Sequence, residues 1–227
     1  MLKINAMNRY TTNGEEGEIL PNLLGITDEE TLHNAEFEGF LMAEILFTEK
    51  LTPKTKFSVK YICDIHRMAL KELYSFAGHF RSVNISKGGF VFPAGRFIPD
   101  SMRIFEEEIL SQLPDRYTSQ QDLIKDIAKV HGELLFIHPF REGNGRSTRI
   151  WLDCILKKEL HQVIDWSRVD KSDYLLAMER SPVKDVEIKA LLRAALTDRI
   201  TDRLVYMKGI DASYHYEGYH VFRTEDL

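Results

Sequence analysis

The chain has 227 residues, 44% of them hydrophobic, and a net charge of −5 from 30 Lys and Arg against 35 Asp and Glu. That length suits one domain with a sizeable core. The acidic balance excludes the basic field that nucleic-acid binding needs, and no stretch combines dense Lys/Arg with stacking aromatics. The two cysteines, Cys63 and Cys154, lie inside apolar helical patterns and lack the closely spaced partners of a disulfide or zinc site, so they read as buried thiols. With no apolar run of signal-peptide or membrane-spanning length, the expectation is a soluble, cytoplasmic protein without a membrane or nucleic-acid partner.

Residues 1–21 are polar, contain Asn13-Gly14 and Pro21, and read as an extension. Thr27 followed three residues later by Glu30 forms a capping box that starts a helix running to about Thr48. Pro53 breaks the chain, and a second helix is expected over about 55–76, ending near Gly78. Phe80, Val83 and Ile85, then Lys87-Gly88-Gly89, then Phe90-Val91-Phe92, make a hairpin signal with the glycine pair at its turn. Helices follow at about 100–113, 120–137, from Ser147 to about 159, 171–180 and 184–206. The expected fold class is all-α with one small hairpin, divided as an extension (1–21), a domain (22–208) and a C-terminal segment (209–227). His33, His66, His79, His131 and His161 show no metal-ligand spacing and read as structural or surface residues.

Between two of these helices, residues 138–149 read HPFREGNGRSTR. His138 can take a proton near neutral pH. Glu142 can hold a hard cation such as Mg²⁺, which needs one or two protein carboxylates plus phosphate oxygens and water. Gly143 and Gly145 let backbone N–H groups approach an anion. Arg146 and Arg149 share one helical face and carry fixed charge that matches phosphate. The loop opens a helix, whose N-terminus favours an anion, and the absence of a preceding strand argues against dinucleotide and Walker loops. Phe140 reads as a core plug that fixes the loop.

The stretch resembles the motif of the Fic family, H-x-F-x-[D/E]-G-N-G-R-x-x-R, at every specified position: His138, Phe140, Glu142, Gly143, Asn144, Gly145, Arg146 and Arg149. The resemblance extends over about 22–218, through NLLGITDEETLHNAEFEGFLMAEIL, GHFRSVNISKGGFVFPAGRFIP and SPVKDVEIKALLRAAL. It implies transfer of AMP from ATP to a Tyr, Ser or Thr hydroxyl of a target protein. His138 would be the base, Glu142 the Mg²⁺ ligand, backbone N–H groups from about 142 to 146 the anion hole, and Asn144 and Arg146 would add side-chain contacts. Arg149 would hold the outer phosphate. It also implies that the hairpin is a flap pairing with the target backbone, with Asn84, Ile85 and Ser86 as candidates.

Residues 209–218 read GIDASYHYEG, in which Ser213, Glu217 and Gly218 resemble the family's inhibitory motif, (S/T)-x-x-x-E-(G/N). On a helix Ser213 and Glu217 share a face, and Glu217 would pair with Arg149 and block the productive pose of ATP. Thr12 to Gly17 also satisfies the pattern, in a polar, glycine-containing stretch that is a poor helix former. Tyr214 and Tyr219 lie beside the glutamate and are candidates for self-modification. Removal of AMP, with Glu217 positioning a water, stays open as a second activity of the same loop. A non-catalytic, nucleotide-responsive binding module stays open as a reading of another class, although a pure binder has no need of His138. The target protein is not legible, and association with further copies of the chain is left open.

Overall fold

The computed structural model describes residues 19–87, 90–181 and 183–217. Eight helices occur among them: α1 (Glu29–Glu49), α2 (Val59–Leu70), α3 (Ile98–Glu108), α4 (Gln120–Ile137), α5 (Asn144–Leu160), α6 (Lys171–Arg180), α7 (Val186–Ala194) and α8 (Arg203–Glu217). Two hairpin-like pairs accompany them: β1 (Ser86–Lys87) with β2 (Phe90–Val91), and β3 (Val163–Ile164) with β4 (Leu196–Thr197), both antiparallel. The helix α5 is the axis of the fold. Its residues 144–156 are all buried, as expected of a helix enclosed on every side, and α1, α2, α4 and α8 pack around it.

Local chemistry sets most helix starts. Ser58, Ser119 and Asp170 each accept a backbone N–H from the first turn of the helix they precede. For α1 the cap is Asp28, which accepts from Thr31 N at 2.8 Å, not the Thr27–Glu30 box expected from sequence. The α2 helix is shorter than the 55–76 expected: it starts at Val59 under Ser58 and stops at Leu70 in a run of turns. α3 starts earlier, at Ile98, with Pro99 in its first turn, where a missing N–H costs nothing.

Two corrections bear on the site. The β3–β4 pair was not expected; it joins Val163 to Thr197 and Ile164 to Leu196. It also divides the helix expected over 184–206, because Leu196 and Thr197 make strand pairing in place of helix bonds. The chain restarts as α8 at Arg203, so the inhibitory-like segment from Gly209 is the second half of a longer helix. Cys63 is half-buried and Cys154 buried, both as free thiols.

Candidate active site

The turn between α4 and α5 carries the motif. Pro139 cannot donate to a helix and disfavours helical geometry at the residue before it. His138 accordingly leaves α4 in the left-handed region, φ 50°. Its ring nitrogen Nδ1 lies 2.6 Å from the Leu135 carbonyl oxygen. A carbonyl only accepts, so Nδ1 carries the proton and the lone pair of the neutral ring sits on Nε2. Phe92 of the flap stacks on this ring at 3.9 Å.

The rest of the loop is braced from behind. Phe140 is buried and stacks on His66, centroids 3.9 Å apart and nearly parallel, as its role of plug requires. His66 Nδ1 accepts from Gly78 N at 2.8 Å, so Nε2–H donates to the Glu142 carbonyl, 2.9 Å away. Burial first, with the Arg146 charge also acting, holds the His66 pKa down at about 3, which keeps this tautomer neutral. Both ends of the Asn144 amide are engaged by Phe140: Oδ1 accepts its N–H and Nδ2 donates to its carbonyl, each at 2.8 Å. The Asn144 side chain thus latches the loop, where the sequence reading had it contacting an anion. Gly143 immediately precedes α5 at φ 75°, and a Cβ there would lie 2.7 Å from Phe40, so glycine is required twice over. α5 has no side-chain cap. By helix geometry, the N–H groups of Asn144, Gly145 and Arg146 lack intrahelical acceptors.

The charges form one buried network. Glu142 Oε1 accepts from Gly143 N at 2.8 Å and from Arg146 Nη2 at 2.7 Å. Arg146 is 1% exposed and lies between the rings of Phe40 and Tyr214. Its Nη1 donates to Glu36 Oε2 at 2.7 Å and to the Tyr214 hydroxyl at 2.5 Å. Arg149 Nε donates to the Ser213 hydroxyl, and its guanidinium lies over Trp166 and Tyr216. Its Nη1 is 3.4 Å from the Tyr174 hydroxyl, which is in turn 2.7 Å from His131 Nε2. α8 therefore lies across both motif arginines, with Ser213 and Tyr214 in contact. The Glu217 side chain, Gly218, Tyr219 and the Thr12–Gly17 alternative lie outside the described residues, as does the Gly88-Gly89 turn.

On the flap the three docking candidates differ. Asn84 is exposed, but its Oδ1 accepts from Gly95 N at 2.9 Å and closes the hairpin base. The Ile85 side chain is buried at 1% exposure, which leaves its backbone for pairing, and its carbonyl already accepts from Phe92 N. Ser86 is half-buried and opposite Val91. The exposed apolar side chains are on the other strand, Phe90 and Val91, the latter 72% exposed.

Sequence reading missed four residues that support the site from outside it: Glu36, Tyr174, His66 in its bracing role, and Arg81, whose Nε donates to the His138 carbonyl at 2.6 Å. A signal existed for two of them. Glu36 sits on the apolar stripe Leu32–Phe40–Ala43, and His66 on Ile62–Ile65–Ala69. Among the described residues no group of three His, Cys, Asp or Glu could hold a metal, and no helix is long and apolar enough to cross a membrane.

The motif loop thus leads into the central buried helix, with Phe92 of the flap on its first residue. Residues 56–156 match the Fic/DOC family model, and this part of the chain is a Fic domain. The chain is 29% identical over 208 residues to the protein adenylyltransferase VbhT of Bartonella schoenbuchensis, covering 90% of this chain and 42% of that relative. It is 25% identical to the protein adenylyltransferase Fic of Nematostella vectensis, covering 85% and 47%. The chain thus spans less than half of either relative. Among solved structures it is similar to the BepC protein of Bartonella tribocorum with bound AMPPNP, at TM-score 0.65 and 21% identity, covering 78% and 91%.

Proposed function

We propose that this protein is a Fic-type adenylyltransferase that moves AMP from ATP to a hydroxyl of a target protein. The observation that carries the reading is the His138 geometry. The Leu135 carbonyl fixes the Nδ1–H tautomer and so puts the lone pair on Nε2, at the head of the short turn that leads into α5, whose N-terminus has no side-chain cap. Names of relatives add support, since several are protein adenylyltransferases. The target hydroxyl oxygen attacks the α-phosphorus of ATP while Nε2 takes its proton. A P–O bond forms to the target, the α–β bridging P–O bond breaks, and its electron pair leaves on pyrophosphate. The N–H groups of Asn144, Gly145 and Arg146 meet the charge on the phosphate oxygens. Arg149 holds the outer phosphate. Glu142 offers one hard carboxylate oxygen donor, which fits Mg²⁺ together with phosphate oxygens and water. The metal, when bound, neutralises phosphate charge as a Lewis acid.

In the same proposal α8 restrains the enzyme. It occupies Arg149 through Ser213 and Arg146 through Tyr214, so Arg149 is not presented to phosphate while α8 is seated, and Glu217 reinforces this. The Tyr214 hydroxyl is buried between Arg146 and Glu36, so AMP on Tyr214 requires α8 to leave first and would keep it from returning. The test is intact mass and radiolabel after ATP and Mg²⁺, with wild type, Glu217→Gly and Glu217→Gly/His138→Ala compared. Glu217→Gly is expected to raise transfer. His138→Ala in that background is expected to lower it by about 10²-fold or more. Equal transfer by wild type and Glu217→Gly would refute the restraint, and a double variant retaining a tenth of the rate would refute the base.

A further inference from the structure

Arg81 enters the structure just before the flap and is buried. Its Nε donates to the His138 carbonyl at 2.6 Å and its Nη2 to the Ile137 carbonyl at 3.2 Å. Its backbone N–H donates to the Pro139 carbonyl at 2.8 Å. These acceptors are the end of α4 and the first residue of the motif loop beyond it. A helix leaves its last carbonyls unsatisfied and carries partial negative charge there. The last turn of α4 has no basic residue of its own, so Arg81 supplies both the donors and the charge. The same guanidinium reaches the hairpin: Nη1 donates to the Val83 carbonyl at 2.8 Å and Nη2 to the Pro93 carbonyl at 2.7 Å. Val83 precedes β1 and Pro93 follows β2, so one planar group holds both legs of the flap and the carbonyl of the candidate base.

The flap base is tight elsewhere too. A Cβ on Gly95 would lie 2.2 Å from the Ser82 carbonyl oxygen and 2.8 Å from that of Val83. Gly95 N also donates to Asn84. The legs therefore have little room to slide against each other.

We propose that Arg81 is a positioning residue for transfer to a polypeptide: it makes the flap and the His138 turn one rigid unit, and so fixes the offset between a strand docked on the flap and Nε2 of His138. This rests on the adenylyltransferase reading. A planar guanidinium with donors in a fixed fork can serve carbonyls on both sides of this junction, whereas an ammonium group is a compact donor on a flexible stem. An offset error of about 1 Å is enough to cost on the order of 10²-fold in rate. A small nucleophile does not dock on the flap and is insensitive to that offset.

The test uses the full chain carrying Glu217→Gly as the parent, with Arg81→Lys and Gly95→Ala added separately. Two acceptors are compared: short extended peptides with one Tyr, Ser or Thr each, and hydroxylamine. Gly95→Ala forces the Ser82–Val83 leg to move without removing the arginine, and it covers the case in which Arg81→Lys does not fold. In both variants transfer to peptide is expected to fall about 10- to 100-fold. Transfer to hydroxylamine should stay within about threefold of the parent, and the ATP dissociation constant should be unchanged. A parallel fall with both acceptors would show that the arginine only maintains the fold or the base, and would overturn the inference. No fall with either acceptor would overturn it as well. A parent that labels hydroxylamine but no peptide would remove the docked strand on which the inference depends. A parent that labels neither would sink the transfer reading itself, and this failure would be visible before any variant is compared.

Discussion

Removing Glu36 strands a buried arginine. Glu36 Oε2 and Arg146 Nη1 are 2.7 Å apart, with side chains 4% and 1% exposed, and the Tyr74 hydroxyl donates to the other carboxylate oxygen at 2.5 Å. Deleting one partner of a buried pair costs about 3–5 kcal/mol, because the remaining charge keeps its desolvation penalty. Glu142 still holds Nη2 at 2.7 Å, so Glu36→Ala should fall near the lower figure, about 3 kcal/mol. For a chain of this length about 1 kcal/mol lowers Tm by about 2–4 °C, which gives a drop of about 6–12 °C. Glu36→Gln keeps an acceptor oxygen and should lose roughly half as much. The function should change too. With Glu36 gone, Glu142 carries more of the Arg146 charge and is less available to a cation. In the Glu217→Gly background, Glu36→Gln should raise the Mg²⁺ concentration for half-maximal transfer. The assays are thermal melts of Glu36→Ala, Arg146→Ala and the double variant, and Mg²⁺ titration of transfer. A double-mutant coupling under about 0.5 kcal/mol would show that the pair is not what holds this network.

Two further perturbations address α8 and the space beneath it. A Cβ on Gly209 would lie 3.2 Å from Trp166, so Gly209→Leu should lift α8, release Arg149 from Ser213, and raise transfer toward the Glu217→Gly level. Faster amide exchange along α8 without increased transfer would refute α8 as a restraint. Beneath α8, a narrow cleft is lined by Glu44, Asp153, Arg149 and Gly209, among others. Burial pushes Asp153 up to about 7, and pushes Glu44 well above the usual carboxylate range, with Asp153 adding to that shift. A carboxyl whose pKa is raised by folding favours the folded state below its unfolded pKa, and that stability is lost as pH rises through 7. Asp153→Asn keeps an acceptor for Ile164 N, now 2.7 Å from Oδ1, and removes the titration. Its stability relative to the parent, read from Tm, should therefore improve between pH 5 and about pH 7, by at most about 1.4 kcal/mol per pH unit, and level off above. A difference in Tm that does not change with pH would refute this.

Part of the motif was legible because several of its residues answer demands set at the turn itself. Pro139 ends α4, the left-handed turn and Phe40 demand glycine at 143, and Asn144 closes the loop on Phe140 four residues back. What was not legible depends on partners far along the chain. Arg146 meets Glu36 across 110 residues, and Arg81 meets the His138 carbonyl across 57. Strand pairing of Leu196 and Thr197 with Val163 and Ile164 overrides an apolar pattern that reads as continuous helix through LLRAALTDRITDRLVYM. A partial signal does survive at the level of single helices. Burying a polar group costs free energy unless something satisfies it, so a polar residue on an apolar stripe implies a partner elsewhere in the fold. Glu36, Glu44, His66 and His131 all occupy such positions on α1, α2 and α4. Glu36 holds Arg146, His66 holds the Glu142 carbonyl, His131 reaches Tyr174 beside Arg149, and Glu44 lines the cleft under α8. Reading these stripes for misplaced polar residues would thus have pointed to the layer that supports the motif, though not to which motif atom each one serves.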